Sequence, residues 1–102
     1  MSSYFVLSPR AAEDLVEIWH FVKTQSSLEI AERVYKNISG KFLFLASNPG
    51  VGHRRENLTG KNVKFFAVYS YLIVYRVQTD FIEIASVLHG RRDIELILRD
   101  RL

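Results

Sequence analysis

The sequence predicts an α+β domain: an N-terminal strand, an antiparallel helical hairpin, then a three-stranded antiparallel meander whose sheet packs on the helices. Three observations predict it. Ser8–Lys23 and Glu29–Leu45 repeat apolar residues at helical spacing. Three stretches beyond Val63 are rich in branched and aromatic residues, and the last two, within YLIVYRVQTDFIEIASVLHGRRD (Tyr71–Asp93), alternate. Short turns separate them, so consecutive strands pair antiparallel. Long helices beside an antiparallel sheet make an α+β domain.

Tyr4–Leu7 is the first strand candidate, and its apolar side chains place it in the sheet. Ser8 reads as a helix N-cap and Pro9 as the first helical residue. Glu13 and Asp14 follow early in that helix, where the dipole favours acids. Ala11, Leu15, Ile18, Trp19 and Val22 form its apolar stripe, to about Lys23. Thr24-Gln25-Ser26-Ser27 is the break. Ser26 and Glu29 stand as S-x-x-E, a capping box that opens the second helix. Ala31, Val34, Tyr35, Ile38, Phe42 and Leu45 carry its stripe, and Asn48-Pro49-Gly50 ends it. The short break makes the two helices an antiparallel pair. Trp19, Tyr35 and Phe42 lie on these stripes and read as core.

Asn48–Lys61 is a loop carrying His53, Arg54 and Arg55. The strands are about Val63–Val68, Tyr71–Val77 and Phe81–Leu88, turned by Tyr69-Ser70 and by Gln78-Thr79-Asp80. A short tail helix from Asp93 offers Ile94, Ile97 and Leu98 as its apolar residues.

Length and composition narrow the function. The 102 residues fit one domain, with 48% apolar and 25% charged residues. A net charge of +3 permits a nucleic acid or an acidic protein as partner and demands neither. Cysteine is absent, which excludes disulfides, thiolate chemistry and a Cys-based zinc site, and fits a reducing compartment. The start, MSSYFVLSPR, lacks the pattern of a secretory signal, and the apolar runs are far shorter than a membrane span. Phosphate-loop, dinucleotide, nucleophile-elbow and H-E-x-x-H motifs are absent, and the three histidines are unclustered, so no metal site is expected.

Four constellations are candidates for chemistry. His89, Arg91 and Arg92 follow the last strand, with Gly90 permitting a sharp turn. Their guanidinium forks match phosphate or carboxylate, unless the turn is simply solvated with one arginine paired to Asp93. His53, Arg54 and Arg55, with Lys61 and Lys64, either extend that positive surface or form a solvated loop. Arg76 shares a strand face with Leu72 and Val74. It either points at a ligand or ion-pairs with Glu83 on the next strand, and the ion pair is the favoured reading. Glu83 with His89 is a general base and acid in principle, although their spacing matches no catalytic motif.

Four segments in order, SPRAAEDLVEIWHFV (Ser8–Val22), LASNPGVGHRREN (Leu45–Asn57), FFAVYSYLIVYRV (Phe65–Val77) and IEIASVLHGRRDI (Ile82–Ile94), resemble the ParE/RelE superfamily. These are the small toxins of bacterial type II toxin–antitoxin systems, and the resemblance covers nearly all of the chain. It is more similar to the ParE branch. Its ending LHGRRD resembles that branch, and IELILRDRL after Asp93 holds no tyrosine of the kind RelE-like nucleases carry. Leu72 stands where those nucleases have an arginine.

The resemblance implies a cytoplasmic toxin that inhibits DNA gyrase by binding, with no catalytic residues, cofactor or metal of its own. It implies a hetero-oligomer with a ParD-like antitoxin that carries a ribbon–helix–helix DNA-binding domain. On this reading His89, Arg91, Arg92, Arg76, Arg54 and Arg55 contact the target. Leu15, Trp19, Val22, Val34 and Ile38, on the helical pair, contact the antitoxin. The alternative is a RelE-like endonuclease that cuts mRNA on the ribosome, with Glu83, His89, Arg91 and Arg92 as its catalytic residues.

Overall fold

A computed structural model describes residues 4–102. Its elements are β1 (Tyr4–Leu7), α1 (Pro9–Gln25), α2 (Leu28–Ser47), a 3-10 turn (Pro49–Val51), β2 (Lys64–Val68), β3 (Tyr71–Val77), β4 (Phe81–His89) and α3 (Ile94–Arg101). The sheet order is β1-β4-β3-β2. β2, β3 and β4 form the expected antiparallel meander. β1 joins the free edge of β4 in parallel, from Tyr4 opposite Phe81 to Leu7 opposite Ile84, so the sheet is mixed. No helix of the described residues is long and apolar enough to cross a membrane.

Ser8 caps α1 as expected, its hydroxyl accepting from the Ala11 N–H at 3.0 Å. The second cap is displaced by one residue from the S-x-x-E reading. α1 continues to Gln25 and uses Ser26 as its own C-cap, the Ser26 N–H donating to the Val22 carbonyl at 2.8 Å. Ser27 has the extended backbone of an N-cap and accepts from the Ile30 N–H at 3.1 Å. Gly40 lies within α2, and a Cβ there would meet nothing within 4 Å. Gly40→Ala is therefore expected to stabilise the protein by about 1 kcal/mol, read as a raised midpoint in urea unfolding.

Two cores flank the sheet. The helical hairpin covers one face, where Ala11, Leu15, Ile38, Phe42 and Leu45 pack on Ile73, Tyr75, Ile82, Ile84 and Val87. The other face carries Val63, Phe65, Leu72, Val74 and Leu88 under Ile94 and Leu98 of α3. A bulge makes this division possible. Tyr75 pairs with Ile84 but Val74 pairs with Ser86, leaving Ala85 as an extra residue in β4. Without it, Ile82 and Val87 would point to opposite faces; with it, both reach the helical side.

Tyr75 also fixes the loop after α2. Its buried hydroxyl donates to the Pro49 carbonyl at 2.8 Å and accepts from the Gly52 N–H at 2.9 Å. A Cβ at Gly52 would fall 2.3 Å from that oxygen, so only glycine fits there. Burial raises the Tyr75 phenol above its ordinary value of 10.0, against a smaller lowering by the Gly52 N–H. The folded state thus holds this proton more tightly than the unfolded chain does. Its contribution is fully present below pH 10 and is lost as pH rises through the folded value. Tyr75→Phe is expected to cost about 1–3 kcal/mol at neutral pH, because Pro49 and Gly52 lose their partner. The same variant is expected to flatten the decline in stability above pH 10, and denaturation curves at pH 7 and pH 11 check both effects.

Candidate functional site

The basic turn is built by the hairpin register. Tyr71 pairs with His89, which places the end of β4 beside the start of β3. The Gly90 N–H then donates to the Ser70 carbonyl at 2.7 Å, and the Arg92 N–H to the His89 carbonyl at 3.1 Å. The Arg91 N–H donates to His89 Nδ1 at 3.0 Å. That bond makes Nδ1 an acceptor, so the neutral ring carries its proton on Nε2. Gly90 lies in the turn, as expected, and does so without a positive φ. Its role is close approach: a Cβ there would lie 3.2 Å from the Ser70 carbonyl oxygen.

Arg91 and Arg92 are exposed, and neither has a carboxylate within ion-pair distance among the described residues. The alternative pairing of one arginine with Asp93 is not formed. Asp93 instead caps α3, accepting from the Leu96 N–H at 3.2 Å. Beside the arginines opens a groove of about 590 Å³ between α1 and the sheet end. It is lined by Asp14, Glu17, Ile18 and Phe21 of α1, by Tyr71, Val87 and His89 at the sheet end, and by Arg91 and Arg92. The Tyr71 ring meets His89 edge-on, with centroids 5.2 Å apart, and burial raises the Tyr71 phenol above its ordinary value. The groove is thus largely apolar, with two arginines and two acids among its lining residues.

The other expected contacts lie elsewhere. Arg76 and Glu83 form the anticipated cross-strand ion pair at 2.7 Å. They sit at the far end of the hairpin, five ladder positions from the Tyr71–His89 pair, which is about 17 Å at ~3.3 Å per residue. A carboxylate and an imidazole so far apart cannot act on one bond, so the structure contradicts Glu83 and His89 as an acid–base pair. His53 bridges Phe65 at the outer edge of β2, two strands away from β4. It carries Arg54 and Arg55 to that edge, where Arg54 approaches Glu56 at 3.8 Å. Arg76, Arg54 and Arg55 therefore do not share the turn of His89, Arg91 and Arg92.

Among the residues expected to meet an antitoxin, Leu15 (3% exposed) and Ile38 (0%) belong to the core, which corrects their assignment to the surface. The helical stripe that named them is the inward face. Trp19, Val22 and Val34 are half-buried. Trp19 and Tyr35 are not core residues as expected from their spacing. They line a cleft of about 340 Å³ on the hairpin surface with Val16, His20 and Glu32, and the Lys23 ammonium lies 5.0 Å from the Trp19 ring. Phe42 is buried as expected.

Sequence reasoning missed a buried ionic cluster. Asp14 (3% exposed) does not serve the α1 dipole. Its Oδ2 accepts from the Val87 N–H at 2.9 Å and from Arg101 Nη1 at 2.7 Å. The same Arg101 nitrogen donates to Ser86 Oγ at 3.1 Å. The cause is the edge of β4. β1 stops pairing at Ile84, and beyond it the β4 edge would be bare. Ser8 takes over, its N–H donating to the Ile84 carbonyl and its hydroxyl to the Ala85 carbonyl, and farther along α1 Asp14 takes Val87. The one available signal was an acid at an inward position of the Ala11–Leu15 stripe.

The family described as "ParE toxin of type II toxin-antitoxin system, parDE" matches residues 5–94. The chain belongs to the ParE toxin family of type II toxin–antitoxin systems. Two curated ParE relatives agree. Toxin ParE1 of Mycobacterium tuberculosis (strain CDC 1551 / Oshkosh) is 30% identical over 96 residues, 93% of this chain and 97% of the relative. Toxin ParE1 of Caulobacter vibrioides (strain ATCC 19089 / CIP 103742 / CB 15) is 32% identical over 83 residues, 81% and 84% of the two chains. A solved structure titled "Chromosomal ParDE TA system from P. aeruginosa" has the same fold. It superimposes with a TM-score of 0.75 at 20% identity, covering 87% of this chain and 96% of that one. The ParE match runs from Phe5 in β1 through the basic turn to the first residue of α3.

Proposed function

We propose that this ParE-family chain, a single toxin domain acting in the cytoplasm, inhibits DNA gyrase by binding it. It is held inactive by a ParD-like antitoxin with a ribbon–helix–helix domain. The observation that carries the reading is the turn itself: two exposed arginines without acidic partners among the described residues, fixed at the end of β4 by three hydrogen bonds. Fixed, unpaired guanidinium groups are suited to docking on an anionic surface. The distance from Glu83 to His89 supports docking over nucleolysis. The groove beside the turn supports the antitoxin half. Its apolar walls suit an amphipathic segment that orders on binding, with acidic residues of that segment against the exposed Arg91 and Arg92.

A supercoiling assay with purified gyrase tests the target. Loss of supercoiling with accumulation of cleaved DNA is expected. Untouched gyrase, with codon-phased cuts in cellular mRNA after induction, would overturn the proposal in favour of the ribosome. The reading frame directly upstream tests the antitoxin: a short frame encoding a ribbon–helix–helix domain and an acidic tail is expected to relieve growth arrest on co-expression.

A further inference from the structure

One carboxylate oxygen closes the segment that carries the basic turn. Asp14 Oδ2 accepts from the Val87 N–H, two residues before His89, and from Arg101 near the end of α3. The chain between those two points is the end of β4, the turn and α3. Arg101 also grips Ser86, so α3 is tied back onto the strand from which the turn departs. We infer that Asp14 and Arg101 are positioning residues for the target-binding turn: they hold Arg91 and Arg92 in place without touching the target. This rests on the docking role proposed above for those arginines.

Three features favour positioning over plain support. The bonds lie at the two ends of the segment that carries the turn, Val87 in β4 and Arg101 at the end of α3. The turn's own ties are few: Gly90 to Ser70, Arg91 to the His89 ring, and Arg92 to the His89 carbonyl. The His89 bond depends on the strand end staying in register with Tyr71, and Asp14 is what satisfies that strand's edge at Val87 once β1 has ended. Release of either end lets the strand end fray towards the turn. A planar guanidinium serves Asp14 and Ser86 together from one nitrogen, a geometry that an ammonium on a flexible stem holds less firmly.

The test compares the full chain with Arg101→Lys and Arg101→Met, by amide hydrogen exchange and by the ¹⁵N shifts of the His89 ring. In Arg101→Met the Val87, Gly90 and Arg91 amides are expected to exchange at least tenfold faster relative to Ile73. The His89 nitrogens are expected to move away from the Nε2–H pattern, and Arg101→Lys to fall between it and the parent. Half-inhibition of gyrase should need at least tenfold more Arg101→Met. Equal acceleration at Ile73 and at the turn, or an unmoved His89 signature, would overturn the inference. If Arg101→Met fails to fold, Arg101→Lys decides by the same readouts. If the parent chain leaves gyrase untouched, the proposed target falls, while exchange and ring shifts still decide whether Arg101 positions the turn.

Discussion

Asp14→Ala is expected to destabilise the protein by about 3–5 kcal/mol, measured by urea denaturation. Arg101 would be left as an almost buried charge without its counter-ion, and the Val87 N–H without an acceptor. A domain of this size has a total stability of only about 5–15 kcal/mol, so the variant approaches the unfolding threshold at growth temperature. Asp14→Asn keeps an acceptor for Val87 and is expected to lose less. Replacing both partners by apolar residues is expected to recover only part of the loss, because the Val87 N–H stays unpaired in either case. A loss below about 1 kcal/mol for Asp14→Ala would mean that water replaces the carboxylate and that the site is not dry.

Arg91→Ala with Arg92→Ala is expected to leave stability within about 0.5 kcal/mol, since both side chains are exposed and unpaired. Gyrase inhibition is expected to fall at least 100-fold. Two hydrogen bonds from charged groups contribute about 1.5–3 kcal/mol each, and about 1.4 kcal/mol is a tenfold change in affinity. The antitoxin complex is expected to weaken less, because the apolar walls from Ile18, Phe21 and Val87 remain. A dose–inhibition series against gyrase and a titration with antitoxin separate the two losses.

The local chemistry of the sequence carried much of the fold. Tyr4–Leu7, Tyr71–Val77 and the N-cap Ser8 are where strand composition, hydrophobic alternation and capping place them. These are short-range rules acting on adjacent residues. What escaped is long-range. Ser26 and Ser27 are both competent caps, and the length of α1 chose between them. Spacing names a helical stripe but not how deep each member sits. Leu15 and Ile38 therefore went to the core, while Trp19 and Tyr35, on the flanks of the same stripes, reached the surface. The basic turn was legible as a cluster. Its separation from Arg76, Glu83, Arg54 and Arg55 depends on strand register and order, which no local pattern contains. Asp14 and Arg101, 87 positions apart in the chain, met only because β1 ends before β4 does.

Docking without chemistry is the role proposed for the turn at the end of β4. The most direct measurement is the dissociation constant for gyrase of the parent chain, of Arg91→Ala/Arg92→Ala and of Glu83→Gln. Saturable binding is predicted for the parent, equal binding for Glu83→Gln, and at least a 100-fold loss for the double variant. Absence of binding by the parent, or a loss with Glu83→Gln as large as with the arginine variant, would contradict it.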